Sequence, residues 1–223
     1  MASTDRMLDL FGLGVSMQIR SDSFTDGSRI PARFAMGKPG EDGPVAFSDN
    51  DNPHLAWSGA PLGTKSFVLV CHDPDCPTVG DDVNQEDRWV PRDLPRCDFF
   101  HWVLVDIPAS ICEIAAGSHS SGVTEGGKTP GPAQSGVQGV NDYTSWFAGD
   151  ETMGGDYGGY DGPFPPWNDQ RLHHYVFTVW AVDVESLGLS GSFNGQAVRE
   201  ALAGRVLGVA QITGSYAINP AAA

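Results

Sequence analysis

Asp73-Pro74-Asp75, His101 and the run His173-His174-Tyr175 are the residues of this 223-residue chain whose types and spacing suit joint chemistry. Imidazoles change charge near neutral pH, a phenol both donates and accepts, and ionised carboxylates only accept. Such a set suits two tasks. It could hold a small phosphoryl or carboxylate group against His101 and Tyr175, with Asp73 orienting His101 and backbone N–H groups of a Gly/Pro loop as further donors. An anion beside Asp73 and Asp75 then requires a protonated imidazole or a protonated carboxyl, so binding should weaken as pH rises. Alternatively, two carboxylates and two imidazoles could serve a hydrolase as acid and base or hold a metal. The chain has no HxxxH pair, no Gly-x-Ser-x-Gly elbow and no Gly-rich phosphate loop before a helix. Binding without turnover is therefore the leading reading, with no catalytic residue, metal ligand or cofactor assigned and the hydrolase as the alternative.

For these residues to meet, strands must bring them to one end of a sheet. Ser66 to Asp73 reads as a central strand, with Phe67, Leu69 and Cys71 in phase with Asp73 and an equally apolar face of Val68 and Val70. Phe99 to Ile107 is a second such strand, on which Phe99, Val103 and Val105 alternate in phase with His101. His174 to Asp183 is a third, entered through His173. If the first strand lies between the other two and antiparallel to both, Asp73, His101, His173 and Tyr175 reach the same end, walled by the loop Tyr157 to Trp167. Each residue taken singly has a plainer role. Asp73 before Pro74 suits a turn, His101 suits a core imidazole bonded to backbone, and Trp102 and Trp180 suit the core. His72 and His174 fall on the faces opposite their neighbours, while His54 and His119 sit in loops without an evident partner.

Elsewhere the chain reads as a strand starting at Met17 to Arg20, mostly loop from Pro108 to Arg171, a helix over Gln196 to Arg205 capped by Asn194 and stopped by Gly208, and a last strand over Val206 to Tyr216. The 28 Gly and 16 Pro exceed the usual share of about 12% and punctuate short apolar runs, which favours a mainly β, antiparallel architecture. With no repeat and no linker, one domain over 1–223 is expected, its core about 17–220 and 1–16 an N-terminal extension. A net charge of −15 without any Lys/Arg run excludes a nucleic-acid wrapper and docking on an anionic membrane by charge, yet leaves room for one anion in a local pocket. Four cysteines without CxxC spacing suit a reduced compartment. No apolar run approaches the ~20 residues of a membrane span and no secretory signal is present, so a cytoplasmic location is expected.

The motifs His-Asp-Pro-Asp-Cys-Pro (72–77), His-Trp-Val-Leu-Val-Asp-Ile-Pro (101–108) and Gly-Tyr-Asp-Gly-Pro-Phe-Pro-Pro (159–166), followed by His173-His174-Tyr175, together resemble the phosphatidylethanolamine-binding protein family. Upstream, Ser23-Phe24 with Asp26-Gly27, Pro53-His54-Leu55 with Trp57, and Gly63 to Phe67 resemble its bacterial, Raf-kinase-inhibitor-like branch. The resemblance implies a large antiparallel sheet packed on a smaller one, and a small pocket for an anion or phosphorylated headgroup. It implies Asp73, Asp75, His101, Gly162, Pro163, Pro165, Pro166, His173 and Tyr175 as ligand-binding residues, with His174 where the family has Arg. It further implies a possible kinase or protease partner and a possible homodimer. Two polar inserts, roughly 78–96 and 117–139, would line the mouth, cover a sheet edge or form an oligomer contact.

Overall fold

The computed structural model describes residues 16–222, which leaves the expected extension over 1–16 outside the description save Ser16. In chain order the strands are β1 (Gln18–Arg20), β2 (Gly37–Pro39), β3 (Val45–Phe47), β4 (Leu55–Ser58), β5 (Ser66–Pro77), β6 (Arg96–Pro108), β7 (Glu113–Ile114), β8 (Gly131–Ala133), β9 (Gly136–Gln138), β10 (His173–Val182) and β11 (Val206–Tyr216). The described residues also form two α-helices, α1 (Tyr143–Trp146) and α2 (Gly195–Ala201), and one 3-10 turn over Ala32–Phe34. The large sheet runs β11-β10-β5-β6-β9-β8 with every pairing antiparallel, and a smaller one runs β1-β4-β7. Because β5 lies between β10 and β6, those two outer strands run the same way. Among the described residues no helix is long and apolar enough to cross a membrane.

Both faces of the central strands are buried, as their unbroken apolar runs require. On one side Phe67, Leu69, Trp102, Leu104, Phe177 and Val179 pack with Leu55, Trp57 and Ile114 of the small sheet. On the other, Val68, Val70, Val103 and Val105 pack with Phe193, Val198 and Leu202 at α2. The Asn194 side chain accepts the Ala197 N–H at 3.0 Å and caps α2, a contact worth about 1 kcal/mol. The helix ends earlier than its periodicity suggests, and its stop is Gly204 at φ +72°, not Gly208, which pairs with Ala181 inside the sheet.

Two further departures bear on the site. β5 does not end at Asp73 but continues through Pro74 to Pro77. Its pairing with β10 stops at His72, and its register against β6 shifts between Asp73 and Cys76, so no ladder bond is asked of the missing Pro74 N–H. The stretch from Pro108 to Arg171 also contains short strands. The β8–β9 hairpin places part of the 117–139 insert on the edge of the large sheet beyond β6, so this insert covers a sheet edge.

Candidate functional site

A cavity of about 200 Å³ opens where β5, β6 and β10 converge, and Asp73, His101, His173, Tyr175, Pro165 and Pro166 line it. What aims His101 there is a bulge. In the β5–β6 ladder Cys71 faces Trp102 while His72 faces Phe100, so His101 is an extra residue without an opposite number. Strict alternation would have kept His101 in phase with Val103 and Val105, which lie against α2; the bulge turns it to the face of Trp102 and Leu104. Its Nδ1 donates to the Asp161 carbonyl at 2.8 Å, and the Asp161 N–H donates back to the His101 carbonyl at 3.0 Å. With Nδ1 so engaged, the neutral ring presents Nε2 as an acceptor. Burial, partly offset by the charge of Asp73, pulls the His101 pKa below its ordinary value, so the ring is neutral at pH 7.

The Asp161 segment is held from behind. Its carboxylate receives Lys128 Nζ at 2.8 Å, Asn50 Nδ2 at 2.8 Å and Asn141 Nδ2 at 2.9 Å, which satisfies a fully buried charge. A side chain at Gly162 would put its Cβ 2.2 Å from the Phe34 carbonyl oxygen, and one at Gly159, with φ +82°, would strike the Gln138 side chain at 2.1 Å. The glycines therefore let the loop lie this close to the sheet.

Asp73 does not orient His101. Its Oδ2 accepts a hydrogen bond from His173 Nδ1–H at 2.6 Å and its Oδ1 accepts the Asp75 N–H at 2.7 Å. His173 Nε2 lies 3.1 Å from Asp169 Oδ2, and Arg96 clamps Asp169 with two bonds of 2.6 and 3.0 Å. Burial alone would lower the His173 pKa; the charge of Asp73 and the hydrogen bonds that the ring donates to both carboxylates outweigh it and raise the value to about 9. Asp169 is held below the usual carboxylate value, because bonds from His173, Arg96 and the Arg171 N–H exceed the opposing effect of burial. Two carboxylates and two cations are thus buried together and cancel, so Asp73 contributes no net negative charge to the cavity wall.

Asp75, Gly162 and Pro163 do not line the cavity. The Asp75 carboxylate turns outward to Arg171 Nε at 2.9 Å and His174 Nδ1 at 2.8 Å, so Arg171 supplies a guanidinium beside the position where the family has Arg. Gly162 spends its N–H on Asn50 Oδ1 and its carbonyl on the Tyr143 hydroxyl, and the Pro163 carbonyl accepts from Met36 and Gly37. Pro163, Pro165 and Pro166 carry no N–H, so these positions offer an anion no backbone donor. His54 and His119 gain partners far from the cavity: His54 bonds Asp22 N–H and Glu113, and His119 contacts Ser135.

The wall also contains residues outside the expected set. Phe99, Tyr143, Phe147 and Phe164 make it aromatic, with Tyr143 and Tyr175 edge-on to the His101 ring at 5.4 and 5.1 Å between centroids. Phe99 stood two residues from His101 on one strand, a period-two signal; Tyr143 and Phe147 sit in a segment without any such pattern. Val83 and Asn84 bring the 78–96 insert into the wall, tied down by Asn168, which accepts the Asn84 N–H and donates to the carbonyls of Asp82, Gln85 and Arg88. The Tyr175 hydroxyl is buried without a hydrogen-bond partner. The indole N–H groups of Trp57 and Trp102 share that condition, but neither residue lines this cavity. Among the described residues no group of three or more His, Cys, Asp or Glu is arranged to hold a metal ion.

The family model for phosphatidylethanolamine-binding proteins matches residues 20–217. The chain belongs to the phosphatidylethanolamine-binding protein family. Within that family it stands in the bacterial branch. It is 30% identical over 204 residues to the UPF0098 protein YbcL of Escherichia coli K12, covering 92% of this chain and 89% of YbcL. It is 32% identical over 184 residues to YbhB of the same organism, covering 82% of this chain and 88% of YbhB. The crystal structure of E. coli YbcL, described as a new member of the mammalian PEBP family, superposes with a TM-score of 0.64 at 26% identity over 92% of this chain and 99% of that one. This phosphatidylethanolamine-binding-type fold carries its cavity at the end of the large sheet.

Proposed function

We propose that the chain is a binding protein that takes a phosphoryl or carboxylate group in the cavity between His101 and Tyr175, without turnover. The observation that carries this reading is the buried Tyr175 hydroxyl, a donor with no partner in a wall shared with the free Nε2 of His101. An unpaired buried hydroxyl costs roughly 1–3 kcal/mol, which a ligand oxygen would restore. The volume of about 200 Å³ is below the 300–1,000 Å³ typical of sites for larger ligands, which favours a headgroup such as phosphoethanolamine, consistent with the family name. Both carboxylates of the Asp-Pro-Asp motif are engaged elsewhere, Asp73 with His173 and Asp75 with Arg171 and His174, so neither is free to act as acid or base on a bound ester.

Because His101 is neutral when empty, an oxygen anion needs a proton on Nε2 to be bound by both groups. Binding then takes up about one proton, and affinity falls up to about tenfold per pH unit above neutrality. Isothermal titration of phosphoethanolamine and inorganic phosphate in buffers of different ionisation enthalpy reads that proton directly. Tyr175→Phe should weaken binding by about 10- to 100-fold, the value of one hydrogen bond to a charged group. Unchanged affinity in Tyr175→Phe, or no linked proton, overturns the reading. Turnover of p-nitrophenyl phosphate that disappears in His101→Ala would replace it with the hydrolase.

A further inference from the structure

Cys76 and Cys97 lie opposite one another where β5 and β6 part, at the base of the loop 78–95, and Cys76 is also part of the cavity wall. We propose that these two residues are a thiol–disulfide modification site, closed by a low-molecular-weight disulfide of the glutathione class, that staples the base of this loop.

The placement meets the requirements of a disulfide. Directly opposed residues of an antiparallel ladder have Cα atoms about 4.5–5.5 Å apart with side chains on the same face, inside the roughly 4.4–6.8 Å that a disulfide spans. The two thiols converge on one carbonyl at the end of β5: Cys97 Sγ reaches across to within 3.6 Å of the Cys76 carbonyl oxygen and 3.8 Å of that of Pro77, which also lies 3.8 Å from Cys76 Sγ. Cys97 is exposed and Cys76 half-buried. The other cysteines lack such a neighbour, since Cys71 is buried opposite Trp102 and Cys112 is exposed outside any strand.

The chemistry balances as two exchanges. The Cys97 thiolate attacks one sulfur of the small disulfide, forms a mixed disulfide and expels one thiolate; Cys76, losing its proton, attacks Cys97 Sγ and expels the second. Two cysteine thiols are oxidised, one small disulfide is reduced to two thiols, and no other reactant is consumed. Burial raises both thiol pKa values, and Asp73 adds to the effect at Cys76, so the exposed Cys97 attacks first and the reaction quickens with pH. The closed loop carries Val83 and Asn84 into the cavity wall, so the state of the pair sets how tightly that wall is held.

The test needs no ligand. Reduced full-length protein is incubated with oxidised glutathione at about pH 8, acid-quenched, alkylated and mapped by mass spectrometry, with melting followed in parallel. The expected product is a monomer about 2 Da lighter in which the Cys76 peptide is joined to the Cys97 peptide. Its Tm rises by about 5–10 °C, is restored by dithiothreitol, and does not move in Cys97→Ser treated the same way. A lasting glutathione adduct on Cys97 with Cys76 free, a cross-link that involves Cys112, or glutathionylation of Cys112 with no Cys76–Cys97 peptide overturns the proposal. A Cys76–Cys97 link without any rise in Tm overturns the staple.

Discussion

Raising pH from about 6.5 to 8.5 should remove about 2 kcal/mol of folding stability through His173 alone. The folded value of about 9 stands above the ordinary 6.5, so the folded protein holds a proton that the unfolded chain has released. Such a group stabilises fully below the unfolded pKa, and its contribution disappears as pH rises through the folded one. At 1.36 kcal/mol per unit the full contribution is about 3 kcal/mol, of which about two-thirds is lost by pH 8.5. Other groups act at the two ends of that window, with opposite signs and alike in wild type and a His173 variant. The lowered pKa values of His72, His101 and His119 make stability fall as pH drops through about 6.5, and the raised thiol values of Cys71, Cys76 and Cys97 make it fall as unfolded thiols ionise near about 8.5. Urea unfolding followed by tryptophan fluorescence at constant ionic strength, on wild type and His173→Gln, isolates the effect. The variant should be less stable by about 3–5 kcal/mol at pH 6.5, since two buried carboxylates lose a cation, and should show almost no slope above it. A wild-type stability that is flat or rises between these pH values, or parallel curves for the two proteins, refutes the charge assignment at Asp73, His173 and Asp169.

Lys128→Met leaves the buried Asp161 carboxylate with only amide donors and should cost about 3 kcal/mol by the same unfolding assay; a cost below about 1 kcal/mol would mean that Lys128 is not its counter-charge. Asp75→Asn should leave phosphate affinity within about twofold by calorimetry, because its carboxylate faces Arg171 and His174, away from the cavity; a loss of tenfold or more would put Asp75 in the binding site after all. Phe177→Ala, which empties a wholly buried ring site beside Phe24 and Tyr160, should cost about 3–5 kcal/mol in urea; a cost under about 1 kcal/mol would deny its place in the core.

The central strands were legible because their burial on both faces is written as continuous apolar runs, and β10, β5 and β6 lie in the order that brings His173, Asp73 and His101 to one end. Periodicity failed where the chain breaks its own period. His101 alternates with Val103 and Val105 in the sequence, and nothing in Phe-Phe-His-Trp signals that a bulge will insert one residue and turn the imidazole to the other face. The same limit applies to the supporting polar groups. Arg96 meets Asp169 across 73 positions, Lys128 meets Asp161 across 33, and Asn50 meets Asp161 across 111, separations at which one sequence carries no pairing signal.

These hidden pairings change the electrostatics that residue types alone suggest. Read singly, Asp73 and Asp75 repel an anion, and a protonated imidazole beside them is the remedy. In the folded chain each carboxylate already has its own cations, His173 beside Asp73 and Arg171 beside Asp75, with Arg96 balancing Asp169 behind them. The proton that neutralises the wall sits on His173 up to about pH 9, whereas the proton that a ligand would need belongs to His101, whose own environment keeps it off when the cavity is empty. Stability and binding therefore titrate through different imidazoles. Between about pH 7 and 8, where folded His173 keeps its proton, both should decline, but His101→Gln should abolish only the pH dependence of binding and His173→Gln only that of stability, a separation that one shared titrating group could not produce.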